Sequence, residues 1–437
     1  METLQKKVPR ARWFYIMPIC FITTFFYFID RQIISIALPG GVQSALALNS
    51  TMSGLAAGVF SIGVLFLSIP AGQLAQKGKV KKFIGLCIAG WSIFTILTAF
   101  VQTSWQLVLV RFCIGFCEGA FSPGLTTLFT FWFPDKDGER NKANSTYFTA
   151  ISVAAISMGP LGGTLIQFFG WRNLFIILGA LSFVGFILWQ LFIFDRPSEA
   201  KWLSEEELDY IETTIQEERE TAKIVAGDVE VKSEKLPLKQ LLSNKYVWSL
   251  CIIGFTVNIG QFGYTIWMPT MIKDITKTNI LNVGFISIVP SFFTLMGLWI
   301  FSYLATKIKN RRLTTGLPLV LFGVSLIIAN ISGAAMGPVV DIGMLCIVSL
   351  FIQGHMPSYY SIPSLVLVKE LDGPARGLMA VAMGLGSFIG PYAVGYFNTV
   401  TGSSKVGMYF LTAMLIIGGL ATLILPKNMV KSSLENK

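Results

Sequence analysis

The feature that most limits the fold of this chain is a series of apolar runs, each about 20 residues long. A run of this length, wound as an α-helix, spans the hydrocarbon core of a bilayer, about 30 Å thick. The runs lie near residues 13–38, 51–75, 83–101, 106–131, 145–169, 173–194, 247–272, 283–306, 314–335, 342–367, 378–399 and 406–425. Lipid offers no partners to backbone polar groups, and the strands of membrane barrels alternate polar with apolar residues. The sequence therefore predicts an all-α membrane protein with twelve transmembrane helices.

Composition excludes most soluble functions. Hydrophobic residues make up 53% of the 437 residues and charged residues only 13%, about half the share in a soluble domain. The formal charge of +10 comes from basic residues in short segments between the apolar runs, which is typical of membrane orientation rather than of nucleic-acid binding. The sequence contains no phosphate-binding loop, no metal-ligand cluster and no nucleophile beside a base. We therefore expect neither an enzyme nor a cofactor, metal or nucleic-acid partner.

The basic residues also predict an orientation. If the amino terminus is cytoplasmic, the outward loops hold only Arg172, Lys273, Lys277 and Lys405 of the 34 lysines and arginines. This asymmetry follows the positive-inside rule and predicts that both termini are cytoplasmic, in a plasma (inner) membrane. The first run is too long for the core of a signal peptide and lacks a clear cleavage site, so we expect it to be retained.

The chain repeats itself at an offset of about 230 to 235 residues. Residues 72–77 echo residues 302–307, and the Gly-Pro pair at 159–160 echoes the pair at 390–391. Echoes in the same order predict two pseudo-symmetric six-helix bundles related by an axis along the membrane normal. The predicted divisions are an amino-terminal bundle at 1–194, a cytoplasmic central loop at 195–246 and a carboxy-terminal bundle at 247–437.

The central loop carries the signature of a short amphipathic helix. Ser204 and Glu207 have the spacing of a capping box, and Leu208, Ile211 and Ile215 recur on one helical face. Two interpretations stay open at this point. The helix is either a brace or gate latch between the halves or a solvated linker.

Four ionisable residues lie inside the predicted spans, where each costs about 2.5 to 3.5 kcal/mol on insertion scales. Asp30 and Arg31 lie in span one, and Arg111 and Glu118 lie in span four. Arg111 and Glu118 are seven residues apart, which places them on one helical face two turns apart. Asp30 and Arg31 point about 100° apart, so each needs its own partner.

These four charges admit two interpretations. The first is structural: two buried ion pairs hold span one against span four. The second is functional: the guanidiniums are permanent charges, the carboxyls bind and release protons, and protonation leaves positive charge for an anion. The functional interpretation predicts proton coupling at Asp30 and Glu118 and an anion at Arg31 and Arg111.

Candidate residues in the second half are uncharged. The single histidine, His355, falls within one residue of the position equivalent to Glu118, and it is either a packing residue or a contact for substrate or proton. Gln261, Tyr264 and Trp267 recur on one face of span seven, where they either line a substrate cavity or pack against neighbouring helices.

Several of these motifs together resemble the anion:cation symporter family of the major facilitator superfamily. They are the charged pairs of spans one and four, Trp132-Phe-Pro, Gly170-Trp-Arg and above all Asp195-Arg-Pro-Ser-Glu-Ala-Lys-Trp. The resemblance implies proton-coupling roles for Asp30 and Glu118 and substrate or switching roles for Arg31 and Arg111. The family usually has a tyrosine at the position of Phe28, so the resemblance implies that a substrate hydroxyl contact is either lost or moved to Tyr27.

Together the residues and the resemblance predict a secondary transporter. It would import a small organic anion, a sugar acid or an aromatic or aliphatic carboxylate, by proton symport with alternating access. A proton-independent facilitator or exchanger is the alternative, and a non-transporting membrane sensor is a third possibility. The expected partners are the anion, the proton and the bilayer, and we expect a monomer.

Overall fold

The computed structural model describes residues 10–76, 79–226, 238–308, 310–332, 337–367 and 369–426. The described part of the chain is helical, with short turns and loops and no strand. The α-helices of the first half are α1 (Ala11–Ala37), α2 (Gln43–Ala45), α3 (Ser50–Gln76), α4 (Val80–Thr98), α5 (Ser104–Glu118), α6 (Phe121–Trp132) and α7 (Glu139–Phe192). The linker contains α8 (Glu205–Ala226) and α9 (Leu238–Ser243).

The second half repeats this plan with more interruptions. Its α-helices are α10 (Lys245–Thr276), α11 (Ile280–Ile286), α12 (Ile288–Lys307), α13 (Arg311–Ser332), α14 (Pro338–Phe351), α15 (Met356–Tyr359), α16 (Pro363–Val366), α17 (Lys369–Thr401) and α18 (Ser404–Ala421). The proposed boundary at residue 194 falls between helices, whereas the boundary at residue 246 falls just inside α10, which begins at Lys245.

Eleven helical segments among the described residues are long and apolar enough to cross a membrane. One of them, α7, is 54 residues long, and Gly170 interrupts it with a positive φ of 81°. A single crossing needs about 20 residues, so α7 accounts for spans five and six, with the chain reversing at Gly170. The prediction of an all-helical membrane protein is confirmed. The orientation of the termini stays a prediction, since residues 1–9 and 427–437 lie outside the described part.

Spans four and ten are broken at equivalent places. Helix α5 ends at Glu118, and α6 begins at Phe121 after two turn residues. In the second half, α14 ends at Phe351, four turn residues follow, and His355 is the N-cap of α15. The structure therefore places Glu118 and His355 at the same point of the repeat, as the sequence offset predicts.

The two halves meet along α3 and α17, and their contacts extend to the face opposite the predicted cytoplasmic side, here called the distal face. A methyl group on Gly58 would lie 2.5 Å from the carbonyl oxygen of Phe388, and one on Gly159 would lie 2.5 Å from that of Gly284. Only glycine permits such close backbone contact between helices. Lys273 also donates to the carbonyl of Pro39 at 2.5 Å across the same seam.

Hydrogen bonds between the halves are confined to the distal face. Two threonines, Thr51 and Thr399, bond across it at 2.9 Å, and Asn398 donates to Ser50 at 3.0 Å. In the described residues no side-chain hydrogen bond joins the halves near the linker. The structure is therefore closed at the distal face.

The linker helix α8 docks on the first half. Glu207 is fully buried and accepts from the Arg12 guanidinium at 2.7 Å and from the Ala11 amide at 2.9 Å. Arg12 also contacts Glu139 at 2.7 Å, at the start of α7. The Ser204 hydroxyl accepts from the Glu207 amide at 3.3 Å, as predicted, but the Glu207 carboxylate turns to Arg12. The described contacts join α8 to the first half, and its outer face is exposed. Whether it acts as a latch or only as a linker stays a prediction.

The Asp195 motif, which carried the family resemblance, also has a structural role. Asp195 caps α4 by accepting from the Lys81 amide at 2.7 Å, and its partial burial raises the pKa of the carboxyl. The Trp132 indole donates to the Phe194 carbonyl at 3.0 Å and stacks on Trp202 with 5.6 Å between ring centroids. This stretch therefore fastens the start of the linker to α4 and α6.

Candidate functional site

Helices α1 and α5 bring the four membrane-embedded charges into one buried region. Asp30, Arg111 and Glu118 each have at most 2% of their surface exposed, and Arg31 is half-buried. Each helix contributes one carboxyl and one guanidinium. Helical spacing predicted that Arg111 and Glu118 share one face of span four, but it predicted neither the clustering of all four charges nor their contacts.

Both guanidiniums lie against the same aromatic ring. The central carbon of Arg31 is 5.4 Å from the centroid of Phe60, and that of Arg111 is 4.8 Å from the same centroid. An aromatic face attracts a cation, typically by about 0.5 to 2 kcal/mol. Phe60, on α3, was missed by sequence reasoning because an apolar residue in an apolar run carries no signal of this role.

The other described contacts of Arg31 are with residues of its own helix, α1. It donates to the hydroxyl of Tyr27 at 3.2 Å, and its guanidinium also faces the rings of Tyr27 and Phe28 at 5.5 and 5.7 Å. Tyr27 is buried and packs on Phe121 with ring centroids 4.8 Å apart. Tyr27 therefore positions Arg31 in this conformation.

Asp30 finds its partner on another helix. The Thr95 hydroxyl of α4 donates a very short hydrogen bond to Asp30 Oδ2, whereas Oδ1 has no partner. Arg111 reaches the backbone carbonyl of Asp30 at 3.4 Å rather than its carboxylate. Thr95 is a second residue that the sequence did not single out, since a threonine in a span more often bonds to its own backbone.

Glu118 is the least satisfied group in the region. It is fully buried, and neither carboxyl oxygen has a hydrogen-bond partner. It lies within electrostatic reach of Arg31 and Arg111, but no ion pair within 4.0 Å joins it to either in the described chain. The interpretation of two buried ion pairs is therefore wrong for this conformation, because the guanidiniums contact Phe60 instead.

The candidate residues of α10 have separate roles. Tyr264 is fully buried and donates to the carbonyl of Leu345 at 3.0 Å, and the Trp267 indole donates to the carbonyl of Pro391 at 3.1 Å. Both side chains therefore pack against helices of their own half here. Gln261 is half-buried. The substrate roles of these three residues stay predictions.

His355 is buried, and its Nδ1 atom has no hydrogen-bond partner. Its ring lies 6.1 Å from that of Tyr359, one turn further along. Like Glu118, it presents an unsatisfied polar atom at a helix break. A role of His355 toward substrate or proton stays a prediction.

The described residues contain no group of three or more side chains arranged to hold a metal ion. The chemistry of the region is instead that of two permanent cations, one carboxyl held by a hydroxyl and one carboxyl without a partner. Such a set can bind an anion and can change its charge by taking up a proton.

Comparisons with known proteins agree with this fold. The chain is 29% identical over 444 residues to a putative tartrate transporter of Agrobacterium vitis, covering 98% of this chain and 93% of the relative. It is 26% identical over 437 residues to the probable galactarate/D-glucarate transporter GudP of Bacillus subtilis, covering 96% and 92%.

Among solved structures, a bacterial homolog of the human lysosomal transporter Spinster, in an inward-facing and unoccupied conformation, superposes with a TM-score of 0.76. The sequence identity is 15%, and the match covers 95% of this chain and 98% of that one. This likeness concerns the fold.

The family model described as Major Facilitator Superfamily matches residues 20–391. Relatives of this family are transporters and not enzymes, as the sequence predicted, and several are named for organic acids. With its paired helical halves and its buried charges, this chain is a membrane transporter that belongs to the Major Facilitator Superfamily.

Proposed function

We propose that the protein is a proton-coupled importer of a small organic anion. The observation that carries this proposal is the pair of buried guanidiniums on Phe60, neither of which is paired with a carboxylate. Because no carboxylate of the described residues lies within 4.0 Å of either guanidinium, an anion that enters the site can form charge-assisted hydrogen bonds with them. The names of the relatives support an organic acid as that anion.

Proton coupling follows from the state of Glu118. A buried carboxylate that lacks hydrogen bonds is the group whose charge is most easily removed by a proton. Neutralising it releases the positive charge of Arg31 and Arg111 for the substrate, so proton and anion bind together. We assign the coupling role mainly to Glu118, with Asp30 as the second carboxyl.

Access follows from the closed distal face. The glycine contacts and the Lys273 bond close that side, and we infer that substrate exchanges at the face that carries the linker. Rocking of the halves would break these contacts and expose the site to the other side. If the linker is cytoplasmic, as predicted, we infer that this state releases substrate inward.

The test is uptake by proteoliposomes with an imposed pH gradient. The wild-type protein is expected to concentrate its acid only when the gradient is present. Glu118→Gln is expected to lose gradient-driven accumulation and to keep exchange of labelled for unlabelled acid. Asp372→Asn, at an exposed ion pair with Arg376, is the matched control and is expected to behave as wild type.

Other outcomes have clear meanings. Concentrative uptake by Glu118→Gln at the wild-type rate contradicts the coupling role. Equal uptake with and without a gradient in the wild type identifies a facilitator or exchanger instead. Binding of the acid without any uptake identifies a sensor.

A further inference from the structure

We propose that Ser122, held in place by the Tyr147 hydroxyl, passes the proton of Glu118 toward the face that carries the linker. This inference deepens the proposed function and rests on it, because it supplies an exit route for the coupled proton. It follows from the order of side chains along α5 and α6 and from one hydrogen bond between α6 and α7.

Glu118 is buried away from water, so its proton needs a route by which to leave. The residue is fully buried, and neither carboxyl oxygen has a hydrogen-bond partner. A proton passes between oxygen atoms that lie within hydrogen-bond distance or that are joined by one water. The route therefore begins at a polar side chain close to Glu118.

The two directions along the helix differ in charge. Helix α4 begins beside Asp195 of the linker, so α5 runs back from the distal side toward the linker. On the distal side of Glu118, two turns away, lies Arg111, a permanent cation that repels a proton. On the linker side, α6 contains no charged residue between Phe121 and Trp132. The linker direction is therefore the favourable one for the proton.

Ser122 is the first hydroxyl beyond Glu118 in that direction. The two turn residues between α5 and α6, Gly119 and Ala120, keep right-handed helical angles, with φ of −56° and −87° and ψ of −25° and −19°. Side chains four residues apart on such a backbone lie on one side, one turn apart. Ser122 is half-buried, so it lies between the buried carboxyl and water. A change of the Glu118 rotamer or one bridging water joins the two groups.

Tyr147 positions the Ser122 hydroxyl. It is 7% exposed, and its hydroxyl donates to Ser122 Oγ at 3.0 Å. Tyr147 is also within electrostatic reach of Arg31, which places this pair of hydroxyls beside the charged region. Serines of the neighbouring helices, such as Ser68 and Ser92, instead donate to carbonyls of their own helix. The contact from a second helix therefore distinguishes Ser122 from these serines.

The chemistry of a hydroxyl allows the transfer. A serine hydroxyl has one hydrogen and two acceptor sites, and Tyr147 occupies one of these sites. The proton of Glu118 binds at the second site while the hydrogen that Ser122 already held leaves to a water molecule. Ser122 is neutral before and after, Glu118 becomes a carboxylate and the water becomes hydronium. Rotation of the Ser122 hydroxyl then restores the starting arrangement.

Three threonines continue the polar side of α6 beyond Ser122. Thr126, Thr127 and Thr130, together with Phe131, line a cavity of about 450 Å³. Phe131 also lines the cavity beside α8, so the threonines lie at the linker end of the first half. Their hydroxyls donate to carbonyls of their own helix, and their oxygens can still accept hydrogen bonds from water. These side chains provide a polar wall for the released proton.

The experiment compares gradient-driven accumulation with exchange in proteoliposomes. The probe is whichever labelled acid the wild type accumulates from a panel of tartrate, glucarate, gluconate and 4-hydroxybenzoate. Ser122→Ala is expected to slow accumulation by about tenfold or more, because the relay is lost, and to change exchange of labelled for unlabelled acid less than about twofold. Ser122→Thr keeps a hydroxyl and is expected to accumulate within about threefold of wild type. Tyr147→Phe is expected to slow accumulation by about three- to tenfold.

Two control variants remove matched hydroxyls elsewhere. Ser92→Ala removes a buried serine hydroxyl that bonds within its own helix, and Tyr359→Phe removes a buried tyrosine hydroxyl that donates to the Leu250 carbonyl. Both are expected to accumulate and exchange the acid as the wild type does. Melting temperatures of all variants show which of them fold. If Ser122→Ala has no melting transition, Tyr147→Phe decides by the same comparison.

The failures are distinguishable. If Ser122→Ala accumulates the acid at the wild-type rate while Glu118→Gln does not, the relay is wrong and the proposed function stands. If Ser122→Ala or Tyr147→Phe loses accumulation and exchange equally, or if Ser122→Thr does not rescue, the hydroxyl acts on substrate or structure and the relay is again wrong. If the wild type accumulates no acid of the panel, or if Glu118→Gln accumulates like wild type, the proposed function fails together with the inference.

Discussion

The two halves of this transporter share a fold but differ in how they treat polar groups. The first half buries four ionisable side chains inside its spans, whereas the spans of the second half contain none. The equivalent helix break carries Glu118 in the first half and neutral His355 in the second. The comparison shows that both halves can share a fold because they share the pattern of apolar residues. The ionisable side chains inside the spans can still occur in one half alone.

The contacts differ in the same way. In the second half, the buried Tyr264 and Trp267 donate to backbone carbonyls and Ser387 bonds to Asn258, but His355 Nδ1 has no partner. In the first half, Glu118 and one oxygen of Asp30 have none. A buried ionisable group without a partner is costly inside a membrane, and this cost is the reason for our proposal that Glu118 has a functional role.

The largest effect is expected at Arg111. Arg111→Ala removes one of the two cations that face Phe60. It also removes one of the two positive charges near the Glu118 carboxyl. We expect affinity for the substrate acid to fall more than 100-fold, because charge-assisted bonds in a buried site contribute several kcal/mol. Equilibrium binding measures this. Unchanged affinity would show that the charges of the first half are structural.

The next effect concerns stability. Arg12→Ala leaves Glu207 buried without its cation, and breaking a buried pair typically costs about 3 to 5 kcal/mol. The matched control Arg376→Ala breaks an exposed pair and is expected to cost about 0 to 1 kcal/mol. Thermal unfolding of both variants tests whether the linker helix stabilises the first half. Equal melting temperatures would show that α8 is only loosely attached.

A smaller effect is expected at Phe60. Phe60→Leu keeps an apolar side chain but removes the ring that faces both guanidiniums. Each contact contributes about 0.5 to 2 kcal/mol, so we expect affinity for the acid to fall about tenfold. Phe388→Leu, on the facing helix, is the comparison and is expected to change affinity less. The reverse order would place the important ring in the second half.

The smallest effect is expected at Tyr264. Tyr264→Phe removes the hydroxyl that donates to Leu345, at a cost of about 1 kcal/mol in stability. Substrate affinity is expected to stay at the wild-type value, because the hydroxyl is occupied within its own half. Loss of affinity with unchanged melting temperature would mean that Tyr264 contacts substrate in another conformation.

Much of this architecture could be predicted from residue order alone. A run of about 20 apolar residues must form a helix in lipid, because only a helix satisfies its backbone hydrogen bonds within the segment. The number of runs and the repetition between them indicate two similar halves. The four charges could also be identified, because an ionisable residue in a span is costly wherever the neighbouring helices lie. Helical spacing also predicted that Arg111 and Glu118 share one face of span four.

The partners of those charges could not be predicted in the same way. Phe60 and Thr95 lie on other helices, and nothing in their own surroundings distinguishes them from packing residues. The same holds for the capture of Glu207 by Arg12, which are 195 residues apart. Such contacts depend on how helices are rotated and stacked, which local periodicity does not specify.

Sequence by itself therefore determined that this chain spans the membrane, that it is built twice and that its first half carries the charge. Tertiary structure decided that the guanidiniums share an aromatic ring, that Glu118 is left without a partner and that the linker helix belongs to the first half. The physical reason is that the free-energy cost of burying a charged side chain depends on the residue itself. The contacts that offset this cost depend on which side chains the packing of the helices brings near.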